Sequence, residues 1–180
     1  MKNVILFSSG LLISIFSLNA QIGFTENKGQ FVNQKGEPAT NVLFKACGTG
    51  PGIFVTTSGL TYMFISPQTE VDTRAEVSSG NIDWSAIHMN LVGSTIRKEN
   101  IIAESPLPGV SNYYYTHCPN GVVGVLSYAK ITIKEIYPGI DWILTADPVL
   151  GMAHDFIVHP NGNHQAIRMQ YVGLSAPITM

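Results

Sequence analysis

The chain has 180 residues, 45% of them apolar and 12% charged, with a formal net charge of −2 at neutral pH. So mild an acidic balance gives no electrostatic pull toward nucleic acid or anionic lipid, whose binders carry a clustered basic face, so neither is expected as a partner. The length suits one domain with a full hydrophobic core.

The opening residues, MKNVILFSSGLLISIFSLNA, place Lys2 ahead of an apolar run from Val4 to Leu18 and a small residue at Ala20. Charge, apolar stretch and small residue in that order predict a secretory signal peptide over 1–20, cut after Ala20. The run is short against the roughly 20 apolar residues of a membrane helix, and Ser8, Ser9, Gly10, Ser14 and Ser17 dilute it. Cleavage leaves 21–180 as a single domain with 9 basic and 12 acidic side chains and no membrane span. No cysteine follows the apolar run, so no lipid anchor is expected, and the chain is expected to be secreted or displayed on the cell surface. Export would put Cys47 and Cys118 where a disulfide can form. Closing that loop would add about 3 to 5 kcal/mol. The alternative for Cys47, at the end of the apolar run from Val42, is a buried thiol.

From Gln21 onward Gly, Pro, Asn and Ser recur about every eight to twelve residues with short β-rich runs between them, the spacing of an all-β sandwich or barrel. Strands are predicted over 41–46, 52–56, 60–65, 86–92, 96–99, 128–136, 141–145, 154–159 and 166–171. The expected fold is an antiparallel β-sandwich, two packed sheets of jelly-roll type with few or no helices. Along Ile131-Thr132-Ile133-Lys134-Glu135-Ile136 the apolar alternation slips at Glu135, as a bulge or a strand end would make it do. Residues 66–84 hold most of the central acids and read as an exposed excursion between strands. Residues 105–124, with their prolines, glycines and Tyr113-Tyr114-Tyr115, read as a functional loop or a crossover.

One pattern occurs twice, as Ile87-His88-Met89-Asn90-Leu91-Val92-Gly93 and Ile167-Arg168-Met169-Gln170-Tyr171-Val172-Gly173. Each copy presents alternate apolar residues on one face and ends at glycine. A diverged duplication and two strands meeting one packing problem separately both account for it. The last residues, Ser175 to Met180, hold no charge and no closing turn, and read as the interior of a longer product.

His154, His159 and His164 suggest a metal, but a spacing of five on a strand sends neighbouring imidazoles to opposite faces, so no metal and no cofactor is expected. No G-x-S-x-G elbow occurs. His117 and Cys118 are adjacent and face apart on an extended chain, a poor arrangement for a thiolate pair. Asp141, Asp147 and Asp155 could meet across a hairpin as a glycosidase pair, but nothing in the sequence brings them together. Trp84, Trp142 and Tyr113, Tyr114 and Tyr115 are the aromatic stock from which a glycan platform would be built, and they also suit a β core. Pro138-Gly139 holds the central positions of a type II turn, and Asp141 follows it where a carboxylate can accept backbone N–H groups. Asp141 is expected to fasten that turn.

Three ordered motifs resemble a known family. Phe24-Thr25-Glu26-Asn27-Lys28-Gly29-Gln30 resembles its F-x-E-N-x-G-Q opening. Tyr137-Pro138-Gly139-Ile140-Asp141 resembles its Y-P-G-I-D turn. His154-Asp155-Phe156-Ile157-Val158-His159-Pro160 resembles its Y-D-F-x-V-x-P strand, with His154 where the family has Tyr. The family is an extracellular domain of unknown function near the N-terminus of large secreted Bacteroidetes proteins. The resemblance implies an all-β domain without established enzyme activity. It also implies following β-propeller-like SBBP repeats and gliding-motility-associated or type IX secretion sorting modules elsewhere in the longer chain. The expected partners are those other domains, with extracellular glycans or surface proteins beyond them. The expected role is a noncatalytic scaffold or interaction module, and the alternative is a carbohydrate-binding module built on the exposed aromatics.

Overall fold

The computed structural model describes residues 22–33, 35–48, 50–66 and 83–173. The predicted signal segment, the body of the 66–84 excursion and the closing residues 175–180 lie outside the described residues.

Within them the chain forms β1 (Gly23–Glu26), β2 (Val42–Cys47), β3 (Gly52–Thr56), β4 (Gly59–Ser66), β5 (Asp83–Leu91) and β6 (Ile101–Pro106). It continues through β7 (Ser111–Tyr115), β8 (Cys118–Val125), β9 (Ser127–Tyr137), β10 (Ile140–Asp147), β11 (Gly151–Val158) and β12 (Met169–Val172). The helical content of the described residues is two 3-10 turns, Lys98–Asn100 and His164–Ala166. The all-β antiparallel expectation therefore stands at the level of class.

The strand pairing gives one large sheet and one small one, and does not establish the two packed sheets of the predicted jelly-roll sandwich. One large sheet runs in the order β11-β10-β9-β1-β2-β3-β4-β5-β12, with β6 also paired to β9, and β7-β8 is a separate ribbon. The large sheet curls into a half-barrel, so its inner face meets itself. Phe24, Phe44, Val55, Leu60 and Met89 from one half share a single cluster with Ile131, Ile133, Ile140, Trp142 and Leu144 from the other. Burying a large aliphatic or aromatic side chain contributes about 1.5 to 3 kcal/mol, so this cluster is the main source of stability. Loops close the curl where no ladder does. Thr95 N–H donates to Ile136 O at 2.7 Å, and Tyr137 O–H donates to Val92 O at 3.1 Å, tying the segment after β5 to the end of β9.

Several boundaries moved for local reasons. The strand predicted at 96–99 does not form, because Ile96 turns into the core and 98–100 makes a 3-10 turn, and the ladder with β9 starts only at Ile101 in β6. The stretch read as loop or crossover, 105–124, is largely the β7–β8 hairpin, whose register shifts twice. Irregular pairing and prolines hide such a ribbon from a strict two-residue period.

The repeated pattern has a structural explanation. β5 and β12 are antiparallel neighbours with Met89 opposite Tyr171, Asn90 opposite Gln170 and Leu91 opposite Met169. The register sets one copy of the pattern against the other about a local two-fold at Asn90 and Gln170.

Candidate functional site

Residues 137–140 form the β9–β10 hairpin turn, with Gly139 at φ 69° as the third position of a type II turn requires. Just before it the ladder breaks. Ile133 pairs Trp142 and Tyr137 pairs Ile140, so residues 134–136 stand opposite Asp141 alone. Glu135 absorbs the surplus at φ 53°, a left-handed conformation that costs a non-glycine residue about 1 to 2 kcal/mol. The slip in apolar alternation at Glu135 is this bulge.

Asp141 fills the gap in the ladder. Its side chain is almost fully buried, and Oδ1 accepts the Glu135 N–H at 2.9 Å. Oδ2 accepts from Lys134 Nζ at 2.7 Å and lies 3.0 Å from His159 Nε2. Burial raises the carboxyl pKa, but the Lys134, His159 and Glu135 hydrogen bonds outweigh it and hold the group at about 2. His159 also donates its backbone N–H to Gly139 O at 2.9 Å, and Gly139 N–H donates to Glu135 Oε2 at 3.0 Å. Turn, bulge and the chain after β11 thus form one knot. Asp141 accepts a backbone N–H beside the turn, and Lys134 and His159 were not foreseen as its partners. An acid directly after a turn and opposite an interrupted strand was the available signal.

The Phe24–Gln30 motif is a second knot. Asn27 Nδ2 donates to Ala39 O at 3.0 Å and Val42 O at 2.8 Å, while its Oδ1 accepts the Gly29 N–H at 2.9 Å. Gln30 is buried, bonds Glu26 O through Nε2 and accepts the Lys28 N–H at 2.7 Å. A cleft of about 450 Å3 opens beside it, with Lys28, Lys98 and Tyr128 among its walls.

The candidate aromatics separate into three places. Trp142 is 0% exposed at the centre of the core, where it stacks on Phe156 and donates from Nε1 to His154 Nδ1 at 3.4 Å. This corrects its place among exposed ligand-binding aromatics: its alternation with Ile140 and Leu144 points it into the half-barrel. Tyr113 and Tyr115 share one face of β7, and Tyr115 stacks on His117 at 5.3 Å between ring centroids. Tyr114 lies on the other face, 70% exposed, with its ring against Gly121. Trp84 is 47% exposed on the outer face of β5, in a groove of about 940 Å3 that also holds Phe54, Thr61, Met63 and His88. Thr61 Oγ1 and His88 Nδ1 are hydrogen-bonded at 2.9 Å on its floor, and Asn33, Lys35 and Glu37 form its polar rim. The groove takes in Trp84 and none of the three tyrosines, so no single platform joins them.

The remaining candidates do not converge. His154 faces Trp142, and burial lowers its pKa. His159 is bound to Asp141, and His164 starts a 3-10 turn. Among the described residues no cluster of metal-ligating side chains forms. Asp155 lies on β11 diagonal to Asp141, whose carboxylate is already committed to Lys134, His159 and the Glu135 N–H. Asp147 caps its own turn through the Leu150 and Val149 N–H groups, which lower its pKa. Cys118 is a free, half-buried thiol at the start of β8, while the Cys47 side chain lies outside the described residues. No helix among the described residues is long and apolar enough to cross a membrane.

A family model described as a domain of unknown function (DUF7948) matches residues 24–178. No curated protein and no solved structure matches the chain.

Proposed function

The chain belongs to that family, DUF7948, and from this premise we propose that it is a noncatalytic β domain acting outside the cell as a scaffold or interaction module of a larger protein. In this reading 1–20 directs export and is removed. The partners are the other domains of the same longer chain, of the SBBP-repeat and type IX sorting or gliding-motility-associated kinds. The observation that carries the proposal is where the motif side chains spend their polar atoms. Asn27, Gln30 and Asp141 each bond backbone of their own chain. Groups consumed in holding turns are not free to work on a substrate, so the motifs serve the shape of the domain.

The test is thermal unfolding of the exported chain with calcium, with zinc and with a polysaccharide panel, alongside mass spectrometry of its N-terminus. A scaffold gives a cooperative transition that none of these moves, on a chain beginning at Gln21. A ligand at a hundredfold excess over its dissociation constant would stabilise by about 2.7 kcal/mol and overturn the proposal.

One observation favours a second reading, a carbohydrate-binding module. Trp84 offers an exposed indole face beside the Thr61–His88 pair and the Asn33, Lys35 and Glu37 rim, the mixture of stacking surface and hydrogen-bonding groups that a sugar ring uses. Because Trp142 is sealed in the core, a sugar-induced fluorescence change would report Trp84. Its loss in Trp84→Ala would establish this reading, and a flat response across the panel would remove it.

A further inference from the structure

β12 ends the large sheet, and its free edge differs from every other sheet edge among the described residues. β11 carries Asp155 in mid-strand, and β6 carries Glu104, a left-handed Ser105 and Pro106. The β7–β8 ribbon has shifted registers, with Pro119 in β8. Charges, prolines and bulges are the devices that keep an edge from pairing with another chain. β12, Met169-Gln170-Tyr171-Val172, is short and has Arg168 directly before it, but within its bounds it carries no charge, proline or bulge and pairs β5 in an unbroken register.

Its hydrogen-bonding groups divide cleanly. Within a strand the N–H and C=O of one residue point to one edge and those of the next residue to the other. Val92 N–H donates to Arg168 O at 2.8 Å, so Arg168 faces β5 and, by alternation, so do Gln170 and Val172. Met169 and Tyr171 therefore direct their backbone groups to the free edge. Their side chains lie on the face that carries the buried Met89 and Leu91, yet they are 40% and 47% exposed, since no further strand among the described residues lies beside them.

We propose that β12 is the contact edge for a second copy of this chain, the two β12 strands pairing antiparallel about a two-fold axis at Gln170. The occupant is argued from the β5–β12 pairing, in which this sequence pattern already pairs with itself in register. A second copy brings the same pattern to the unused side. Across the axis Met169 stands opposite the partner's Tyr171, and Tyr171 opposite the partner's Met169. Both are outward-bonding positions, so each such pair exchanges backbone hydrogen bonds while thioether meets aromatic ring. The contact is isologous and closes as a dimer. A single short edge buries little area, so association depends on concentration. The inference rests on strand geometry alone and does not depend on the scaffold reading or on export.

Analytical ultracentrifugation of the chain over a concentration series tests it, with amide hydrogen exchange read at residues 168–172. The expected result is a mass rising from one chain to two, with the Met169 and Tyr171 amides gaining protection over the same concentrations. Tyr171→Pro removes an outward N–H and leaves the β5 ladder intact, so it should return the mass to one chain with the circular dichroism of the native fold. Tyr171→Lys serves if the proline variant fails to fold, since it sets a charge at the edge. A chain that stays monomeric overturns the proposal, whether its Met169 and Tyr171 amides exchange freely or are protected at every concentration by another segment of the same chain. A dimer that survives both substitutions overturns it as well.

Discussion

Asp141 Oδ1 accepts the backbone N–H of Glu135 at 2.9 Å where the β9–β10 ladder has no residue to offer. One buried carboxylate thereby takes the place of a strand's carbonyl and holds a left-handed residue in a bulge.

Acid sensitivity follows from this contact. The Asp141 carboxyl ordinarily ionises at 3.8 and is held at about 2 in the fold. A depressed folded value contributes stability that is complete above 3.8 and is lost as pH falls toward about 2. That contribution is about 1 to 2 kcal/mol once solvent screening at the half-exposed Lys134 and His159 is allowed for. Asp141→Asn should lower the urea-unfolding free energy at neutral pH by that amount and flatten its dependence across this acid window. An unchanged slope in the variant would refute the assignment.

His154 should shape the milder acid range. Burial holds its pKa below the ordinary 6.5, and Trp142 Nε1–H donates to its Nδ1, which protonation would remove as an acceptor. The unfolded chain therefore takes up this proton first, and stability should fall as pH drops below 6.5. His154→Phe should show a shallower decline there while keeping the deeper transition due to Asp141. Fluorescence-detected unfolding at several pH values separates the two.

Glycine is required at position 162 by crowding. A Cβ there would overlap Gly139 O of the β9–β10 turn and touch Val158. Gly162→Ala should destabilise by about 1 to 3 kcal/mol through forced displacement of that turn. Gly36→Ala is the control for conformation without crowding, since Gly36 has φ 77° and open space around it. A smaller loss of melting temperature at 36 than at 162 is the expected order.

The two tryptophans should respond in opposite ways. Trp142→Ala empties the centre of the core and should cost about 3 to 5 kcal/mol. Trp84→Ala removes an exposed side chain and should stay within about 0.5 kcal/mol of the native chain. Acrylamide should quench Trp84 strongly and Trp142 weakly in the folded chain. Equal quenching would contradict the burial of Trp142.

Much of the β architecture was legible because burial writes a period of two into the chain. The strands β3, β4, β9 and β10 lie close to their predicted positions, and the slip at Glu135 marked a bulge that exists. The strands that escaped notice, β1, β6, β7 and β8, are short or carry prolines and irregular pairing. Asp141 was recognisable as a turn fastener because it follows Pro138-Gly139. By residue type Trp142 groups with surface aromatics, although its alternation with Ile140 and Leu144 marks the inner face.

Strand class, the Pro138-Gly139 turn and the two copies of one pattern at 87–93 and 167–173 can be read from the residues alone. Each is written in local spacing and backbone chemistry. The curl of one sheet upon itself, the convergence of Lys134 and His159 on Asp141, and the pairing of the two copies emerge only in the folded chain. These outcomes depend on sheet twist and on contacts between residues distant in the chain, which local periodicity does not encode.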